Sequence, residues 1–377
     1  VSLSDQDRRH YARQIALPEF GEAGQARLRA SRVLIVGAGG LGSPAAIYLA
    51  AAGVGTLGLV EFDRVDESNL HRQILYGAPD VGSAKIEAAA RRLAATNPHI
   101  AIRPHAEAFS AANALDLVRG YDVIVDGTDN FAARYLVNDA CVLTGRPNVY
   151  GSVSRFEGQA AVFAAPGGPC YRCLHPEPPP AGLIQNCADA GVLGVLPGLI
   201  GMIQATEAIK LVVGLGEPLV GRLLLYDALK MRVRTITLPR DPACPVCGER
   251  PTLTTLTTYD EHCSPAVVTA ARGTTHETRT EMTSDELRQW RKDRTPHFLL
   301  DVREPVEHDE AHIDGCTLIP LRQLQAEHHR LPKDLPIVVY CKSGGRSAIA
   351  TAGLKAFGYD AHNLSGGIQA WLASGGD

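Results

Sequence analysis

The chain has 377 residues, a net charge of −4 and a pI near 6.4, which gives no electrostatic reason to expect nucleic acid or an anionic membrane as a partner. That length suits two or three domains, each able to bury a core. Residues 33–60 carry no charged side chain and are long enough to span a bilayer. A glycine-rich turn, Pro44 and Gly53, Gly55 and Gly58 interrupt them, so they read as strand, turn, helix and strand. No basic segment followed by an apolar run opens the sequence, and a cytoplasmic location is expected. Nine cysteines in a reducing compartment serve as ligands or reactive thiols more readily than as disulfides.

In chain order, residues 5–14 form a charged opening segment that taken alone reads as a solvated helix face. The apolar run from Val33 ends in Gly37-Ala38-Gly39-Gly40-Leu41-Gly42 and restarts as a helical pattern. Gly37, Gly39 and Gly42 match the dinucleotide fingerprint: a tight turn, backbone N–H groups brought to phosphate, and close helix packing. Glu61 closes the next apolar run, where such folds place a ribose-binding carboxylate. Helices at 41–52, 84–96 and 111–118 alternate with strands at 57–60, 100–103 and 122–126, which predicts a largely parallel sheet covered by helices, an α/β fold. Arg72 and Lys85 have no use in hydride transfer and suit a triphosphate whose charge must be neutralised as pyrophosphate leaves. Asp129, in Asp126-Gly-Thr-Asp-Asn130 at the carboxyl edge of the sheet, is a candidate Mg²⁺ ligand.

Residues 5–248 resemble the MoeB/ThiF family of ubiquitin-activating-type adenylyltransferases. The resemblance rests on Arg13-Gln14-Ile15, the 37–42 glycine loop, Ser68-Asn69-Leu70-His71-Arg72-Gln73, Lys85, Asp126 to Asn130 and two cysteine pairs. It implies a Rossmann-like ATP-binding domain, with Glu61, Asn69, Arg72, Lys85 and Asp129 at the ATP site and Arg13 reaching in from the second subunit of a homodimer. Gln73 and Asn130 stand in the same motifs, and Asp63 follows two residues after Glu61. The family's ribose carboxylate is more often Asp, so either Glu61 or Asp63 meets the ribose.

Cys170-Tyr-Arg-Cys173 and Cys244-Pro-Val-Cys247 are two CxxC pairs, which suit a closed tetrahedral Zn²⁺ site. Between them, residues 176–196 form a loop rich in proline and glycine that holds Cys187. By the resemblance this loop passes over the reacting carboxylate, which makes Cys187 a second catalytic thiol. A helix at 198–213 and strands at 222–226 and 231–238 complete a domain spanning 1–248.

Residues 249–281 read as a linker, with Tyr259 and Cys263 expected to pack on the first domain. Residues 282–377 restart the alternation: helix 283–291, strands 298–302 and 317–319, helix 322–330, strand 336–340, helix 346–357, strand 361–364 and helix 367–373. The strand before Cys341 delivers Cys341-Lys-Ser-Gly-Gly-Arg346-Ser347 to a helix start, where backbone N–H groups, Lys342 and Arg346 favour a thiolate or persulfide. Four residues separate Cys341 from Arg346, one fewer than a phosphatase loop needs. This segment resembles the rhodanese family, a small α/β sulfurtransferase domain, through Asp301-Val-Arg303-Glu304, His312-Ile-Asp-Gly315, the Cys341 loop and Leu364-Ser-Gly-Gly-Ile-Gln-Ala-Trp371. It implies a persulfide on Cys341, while Asp301 and Arg303 read as an ion pair. His328, His329 and the other histidines lack metal spacing and read as surface residues.

Together the two resemblances imply ATP-dependent adenylation of a ubiquitin-like sulfur carrier ending in Gly-Gly. Sulfur from the Cys341 persulfide, supplied by a cysteine desulfurase or thiosulfate, then gives a thiocarboxylate. Cofactors are ATP, Mg²⁺ and Zn²⁺. Carriers of molybdopterin, thiamin, cysteine, tRNA-thiolation and secondary-metabolite pathways all fit. Two rival readings are an NAD-dependent redox protein with a phosphatase-like tail and a non-catalytic zinc-stabilised scaffold that binds a carrier. The first leaves Arg72, Lys85 and Asp129 idle; the intact Cys341 and cationic set argue against the second.

Overall fold

The computed structural model describes residues 3–177, 191–257 and 281–375, and they fall into two compact units. The first is built on an eight-stranded sheet in the order β3-β2-β1-β4-β5-β6-β7-β8. Its strands are β1 (Arg32–Val36), β2 (Thr56–Val60), β3 (Ala101–His105), β4 (Val123–Asp126), β5 (Asn148–Ser154), β6 (Glu157–Phe163), β7 (Arg222–Asp227) and β8 (Arg232–Thr237). The pairs from β3 to β5 are parallel, as the alternation predicts, whereas β5 to β8 are antiparallel. The sheet is therefore mixed. The antiparallel half turns on a two-residue connection at Arg155-Phe156, where Arg155 takes φ 51° without a glycine or asparagine to announce a hairpin.

The expected helices form at Gly42–Ala52, Lys85–Thr96, Ala114–Arg119 and Val195–Val213. A further one, Phe131–Thr144, is capped by Asn130, whose Oδ1 accepts the Ala133 N–H at 2.8 Å. Helix Val195–Val213 is long and apolar enough to cross a membrane. In this fold it lies across β4, β5 and β6 and against Gly42–Ala52, where the Gln204 amide donates to the carbonyls of Asp126 and Val149. Val33, Leu34, Ile35, Leu57, Leu59, Ile124 and Val125 are fully buried between the layers. The strand order reverses on either side of β1, and Val36 is in register with both Val60 and Asp126. The ends of β1, β2 and β4 thus open one crevice.

The second unit holds a five-stranded parallel sheet in the order β11-β10-β12-β13-β9. Its strands are β9 (Glu281–Met282), β10 (Phe298–Asp301), β11 (Thr317–Leu318), β12 (Ile337–Tyr340) and β13 (Ala361–Leu364). Glu281, expected to end the linker, already pairs with Asn363 as the first residue of β9. Helix Ser284–Lys292 starts on a capping box of Thr283 and Glu286. Helix Pro305–Glu310 was not expected from periodicity; it is a short turn fixed by proline at its start and by the Glu304 N–H donating to Glu307 Oε2 at 3.1 Å. At the other end of the linker, Leu253 and Leu256 pack onto the first unit. Tyr259, Cys263 and Cys187 lie outside the described residues.

Candidate functional site

β1 stops because Gly37 turns to φ 87°, a left-handed conformation that suits glycine. At the other end of the loop a Cβ on Gly42 would lie 1.9 Å from the Gly37 carbonyl oxygen. Only glycine fits there, and helix Gly42–Ala52 begins directly on the loop, its positive end at the crevice. Gly39 and Gly40 are partly exposed at the mouth. Gln73 Nε2 is the nearest group to a Cβ built on Gly39, at 3.7 Å, and Arg72 Cγ lies 3.8 Å from one built on Gly40. The structure thus brings Arg72 and Gln73 to the glycines.

Ala38 anchors the loop. Its N–H donates to Glu61 Oε2 at 3.0 Å, and its carbonyl accepts the Tyr76 hydroxyl at 2.9 Å and the Ser43 hydroxyl at 3.1 Å. Burial pushes the Tyr76 phenol well above its ordinary pKa, so it stays a donor. Glu61 Oε1 accepts the backbone N–H groups of Phe62 and Asp63 at 2.9 and 3.0 Å. A carboxylate offers about four lone-pair directions, so Glu61 keeps room for one further donor. Asp63 is exposed instead and holds the buried Lys85 ammonium at 3.1 Å. Asn69 shapes its turn through its carbonyl, which accepts the N–H groups of Arg72 and Gln73. Gln73 is itself buried, and its Oε1 has no hydrogen-bond partner among the described residues. A polar atom left in this state beside a glycine loop fits a bound polar ligand.

At the end of β4, Asp126 is fully buried, and its Oδ1 accepts the N–H and hydroxyl of Thr128 at 3.0 and 2.6 Å. Burial pushes its pKa up. Asp129 is exposed three residues on, and among the described residues its carboxylate has no partner. Asn130 caps a helix. Arg13 is exposed on the short helix Ala12–Ile15, and among the described residues nothing holds it. Tyr76 and Ser43 escape sequence reasoning, because nothing in their spacing says that a hydroxyl holds the loop.

The four paired cysteines meet. Cys170 Sγ lies 3.6 Å from Cys244 Sγ, Cys173 Sγ lies 3.4 Å from Cys247 Sγ, and all four sulfurs are within 4.8 Å of one another. Tetrahedral zinc with Zn–S bonds of about 2.3 Å spaces its sulfurs about 3.8 Å apart, so this donor set fits. The Cys170 thiol donates to Cys173 and brings that thiol's pKa down to about 5, while the same hydrogen bond drives Cys170 up. Between this pair, the Tyr171 N–H donates to Asn138 Oδ1 at 2.7 Å and Arg172 forks onto Asp139 at 3.0 and 2.9 Å. These bonds fasten the knuckle to helix Phe131–Thr144.

In the second unit, β12 delivers a buried Cys341 whose Sγ accepts the Gly344 N–H at 3.2 Å, with the Ser347 hydroxyl at 3.4 Å. Gly344, at φ 98°, turns the chain into helix Gly345–Ala356. The Ile368 N–H donates to the Cys341 carbonyl at 2.8 Å, so Gly366-Gly367 backs the loop. Both loop cations were expected to favour an anion. Lys342 is exposed, but both terminal nitrogens of Arg346 sit on Glu307, each at 2.6 Å. That fork holds the Glu307 carboxyl down at about pKa 2.

Asp301 and Arg303 form the expected buried ion pair, at 2.6 Å. Burial raises the Asp301 pKa, and hydrogen bonds from Arg303 and His308 more than reverse it. His308 is thus no surface residue: its Nδ1 is 3.0 Å from Asp301. His328 likewise stacks on Phe357, with centroids 4.1 Å apart. Asp301, His308 and Cys316 present ligand atoms within 4.8 Å of one another, yet Arg303 already occupies both Asp301 oxygens, and the cluster reads as a polar core.

Residues 11–246 match the ThiF family and residues 283–374 match the rhodanese-like domain. The chain is similar to the "Probable adenylyltransferase/sulfurtransferase MoeZ" of Mycobacterium tuberculosis, 48% identical over 377 residues, covering 98% of this chain and 94% of that protein. It is also similar to the "Sulfur carrier protein adenylyltransferase" of Thermus thermophilus, 52% identical over 258 residues, covering 67% of this chain and 95% of that protein. Among solved structures, Escherichia coli MccB has the same fold over 69% of this chain and 77% of its own, with a TM-score of 0.58 at 22% identity. The glycine crevice and its cations lie within the first matched segment, and the Cys341 loop within the second. The chain therefore belongs to the ThiF family and carries a rhodanese-like domain behind its ThiF portion.

Proposed function

We propose that this protein adenylates the C-terminal glycine of a ubiquitin-like sulfur carrier and converts the acyl-adenylate to a thiocarboxylate with sulfur held on Cys341. The observation that carries the reading is that one chain holds two separate anion-stabilising loops. Among the described residues, one has cations and carboxylates but no thiol in its wall; the other presents a cysteine sulfur to an N–H and a hydroxyl. An adenylating site needs the first and a sulfur carrier needs the second.

In the first step a carboxylate oxygen of the carrier attacks the α-phosphorus of ATP, and pyrophosphate departs. Backbone N–H groups of the 37–42 loop hold the phosphates, Arg72 and Lys85 neutralise the leaving charge, and Gln73 Oε1 accepts from the nucleotide. Glu61 meets the ribose in preference to Asp63, because Asp63 is bound to Lys85. Asp129, with Asn130 beside it, would hold Mg²⁺, which supplies further charge neutralisation. In the second step the terminal sulfur of the Cys341 persulfide attacks the acyl carbonyl and AMP leaves, giving an acyl disulfide on Cys341. A second thiol, for which Cys187 is the candidate, attacks the Cys341 sulfur of that bond. It forms a disulfide and releases the thiocarboxylate. A prior thioester on Cys187 is the other order of events.

Cys170, Cys173, Cys244 and Cys247 would hold Zn²⁺ as a structural cross-link. We place the adenylyltransferase domain at 1–248 and the sulfurtransferase domain at 282–377 with Glu281 of β9 joined to it, which shortens the expected 249–281 linker by one residue. The protein acts as a cytoplasmic homodimer without nucleic acid or membrane partners. Arg13 completes the partner's ATP site; its neighbour Gln14 lines an open groove with Tyr48, Met202 and Thr206, an apolar face suited to a second copy. The test is ATP–pyrophosphate exchange with purified carriers ending in Gly-Gly, followed by the oxygen-to-sulfur mass change on the carrier. Exchange without any carrier able to gain sulfur, or no exchange with any carrier, would refute the reading.

A further inference from the structure

Arg346 closes the Cys341 loop, and the arrangement of its partner bears on which sulfur donor the loop accepts. A guanidinium at this position could meet the sulfonate end of thiosulfate as its sulfane sulfur approaches Cys341. Here both terminal nitrogens are taken by Glu307 at 2.6 Å. Glu307 is not a loosely placed surface carboxylate. Its Oε2 also accepts the Glu304 N–H, and its carbonyl accepts Arg303 Nη1 at 2.9 Å. Arg303 in turn is fixed by the fully buried Asp301 and by the Ala311 carbonyl. The Asp301-Arg303 pair therefore braces the short helix that presents Glu307, and Glu307 neutralises Arg346. At the loop, the sulfur of Cys341 receives one N–H and one hydroxyl. Those donors suit a single sulfur anion.

We propose that Glu307 is a specificity-determining positioning residue: by holding Arg346 it turns the Cys341 loop away from thiosulfate and toward persulfide donors. The inference rests on Cys341 being the sulfur carrier. With a persulfide, the Cys341 thiolate attacks the outer sulfur of R–S–SH, the S–S bond breaks, and the thiolate RS⁻ leaves with the electron pair, giving Cys341–S–SH. With thiosulfate, the same attack on S₂O₃²⁻ expels SO₃²⁻ and gives Cys341–S–S⁻. The products at Cys341 differ by one proton. The dianion meets a loop whose arginine the Glu307 carboxylate has already neutralised, whereas the persulfide brings no sulfonate. A carboxylate that cancels the loop's arginine and repels a second anion sets a preference of this kind.

The test uses the full chain with cyanide as common acceptor, so that only the donor half-reaction differs. Thiocyanate is read with sodium thiosulfate and, separately, with cysteine hydropersulfide. Glu307→Gln keeps the size and one acceptor oxygen while removing the charge. It should raise the ratio of kcat/KM for thiosulfate to that for persulfide by about tenfold, through a lower KM for thiosulfate. In the Glu307→Gln, Arg346→Ala double variant the gain should vanish, which a general loosening of the loop would not produce. An unchanged ratio in folded Glu307→Gln, or the same gain without Arg346, overturns the proposal. Thermal melts of each variant identify misfolding. If Glu307→Gln misfolds, Arg346→Ala alone decides: wild-type KM for thiosulfate supports an arginine already withheld, and a KM raised tenfold refutes it. Cys341→Ala serves as the separate control: thiocyanate formation that survives it defeats the sulfur-carrier reading itself, whatever Glu307 does.

Discussion

The Glu61 carboxylate accepts the Ala38 N–H at 3.0 Å, tying the end of β2 to the centre of the glycine loop. One oxygen thus fixes the loop while the other holds the chain leaving the strand through Phe62 and Asp63. Removing it leaves a buried N–H without an acceptor, a loss worth about 1–3 kcal/mol. Glu61→Ala should therefore lower stability to urea by that amount and raise the KM for ATP in pyrophosphate exchange. Asp63→Asn should leave stability closer to wild type, since its pair with Lys85 is more than half exposed on the carboxylate side. Wild-type stability in Glu61→Ala would show that the loop is held by other means.

The zinc assignment predicts that metal and stability are lost together. Cys244→Ser should abolish bound zinc by elemental analysis and lower the melting temperature of the ThiF portion by roughly 10 °C or more, because binding energy at such a site is folding energy. Tyr171 and Arg172 carry the loss to helix Phe131–Thr144 through Asn138 and Asp139. Active wild-type protein with the pairs as reversible disulfides and no metal would overturn the assignment.

The glycine loop and the CxxC pairs are legible in the chain because each is a local pattern whose spacing states its geometry. β5 and β6 are not, since Arg155-Phe156 carries no turn signal and the parallel alternation before it invites more of the same. The fork between Glu307 and Arg346 joins residues 39 positions apart, and that of Arg172 and Asp139 joins residues 33 apart; neither has a local signature. His308 illustrates the same limit. Its partner Asp301 lies on a strand that ends before the helix begins, and only the fold turns the imidazole inward.

The proposal that Arg13 completes the ATP site of a second subunit predicts complementation. Arg13→Ala and Lys85→Ala should each abolish exchange as homodimers. After subunit mixing, half of the dimers are hybrids with one whole site in two, so about a quarter of wild-type activity should return. A mixture as inactive as its parents, after mass spectrometry has shown hybrids, would place Arg13 outside the site.

Glu307 also predicts an acid dependence. Its folded pKa of about 2 lies below the ordinary value of 4.5 because Arg346 hydrogen-bonds the charged form. Its stabilising contribution is thus complete above pH 4.5 and lost as pH falls toward 2. Wild type should exceed Glu307→Gln in stability at pH 6, and the gap should close across that window in denaturant titrations. A gap independent of pH would mean that the carboxylate's charge contributes nothing.

The central claim is that activation belongs to the glycine crevice and sulfur delivery to Cys341. It is tested most directly by one variant and two readouts. Cys341→Ala removes the sulfur carrier and leaves every residue of the ThiF portion as it is. With a carrier ending in Gly-Gly and a persulfide-generating desulfurase, it should keep pyrophosphate exchange within about twofold of wild type, because adenylation needs no thiol. Thiocarboxylate formation, read by intact mass as the replacement of oxygen by sulfur on the carrier, should fall to background. Thiocarboxylate formed by Cys341→Ala at the wild-type rate would contradict the account.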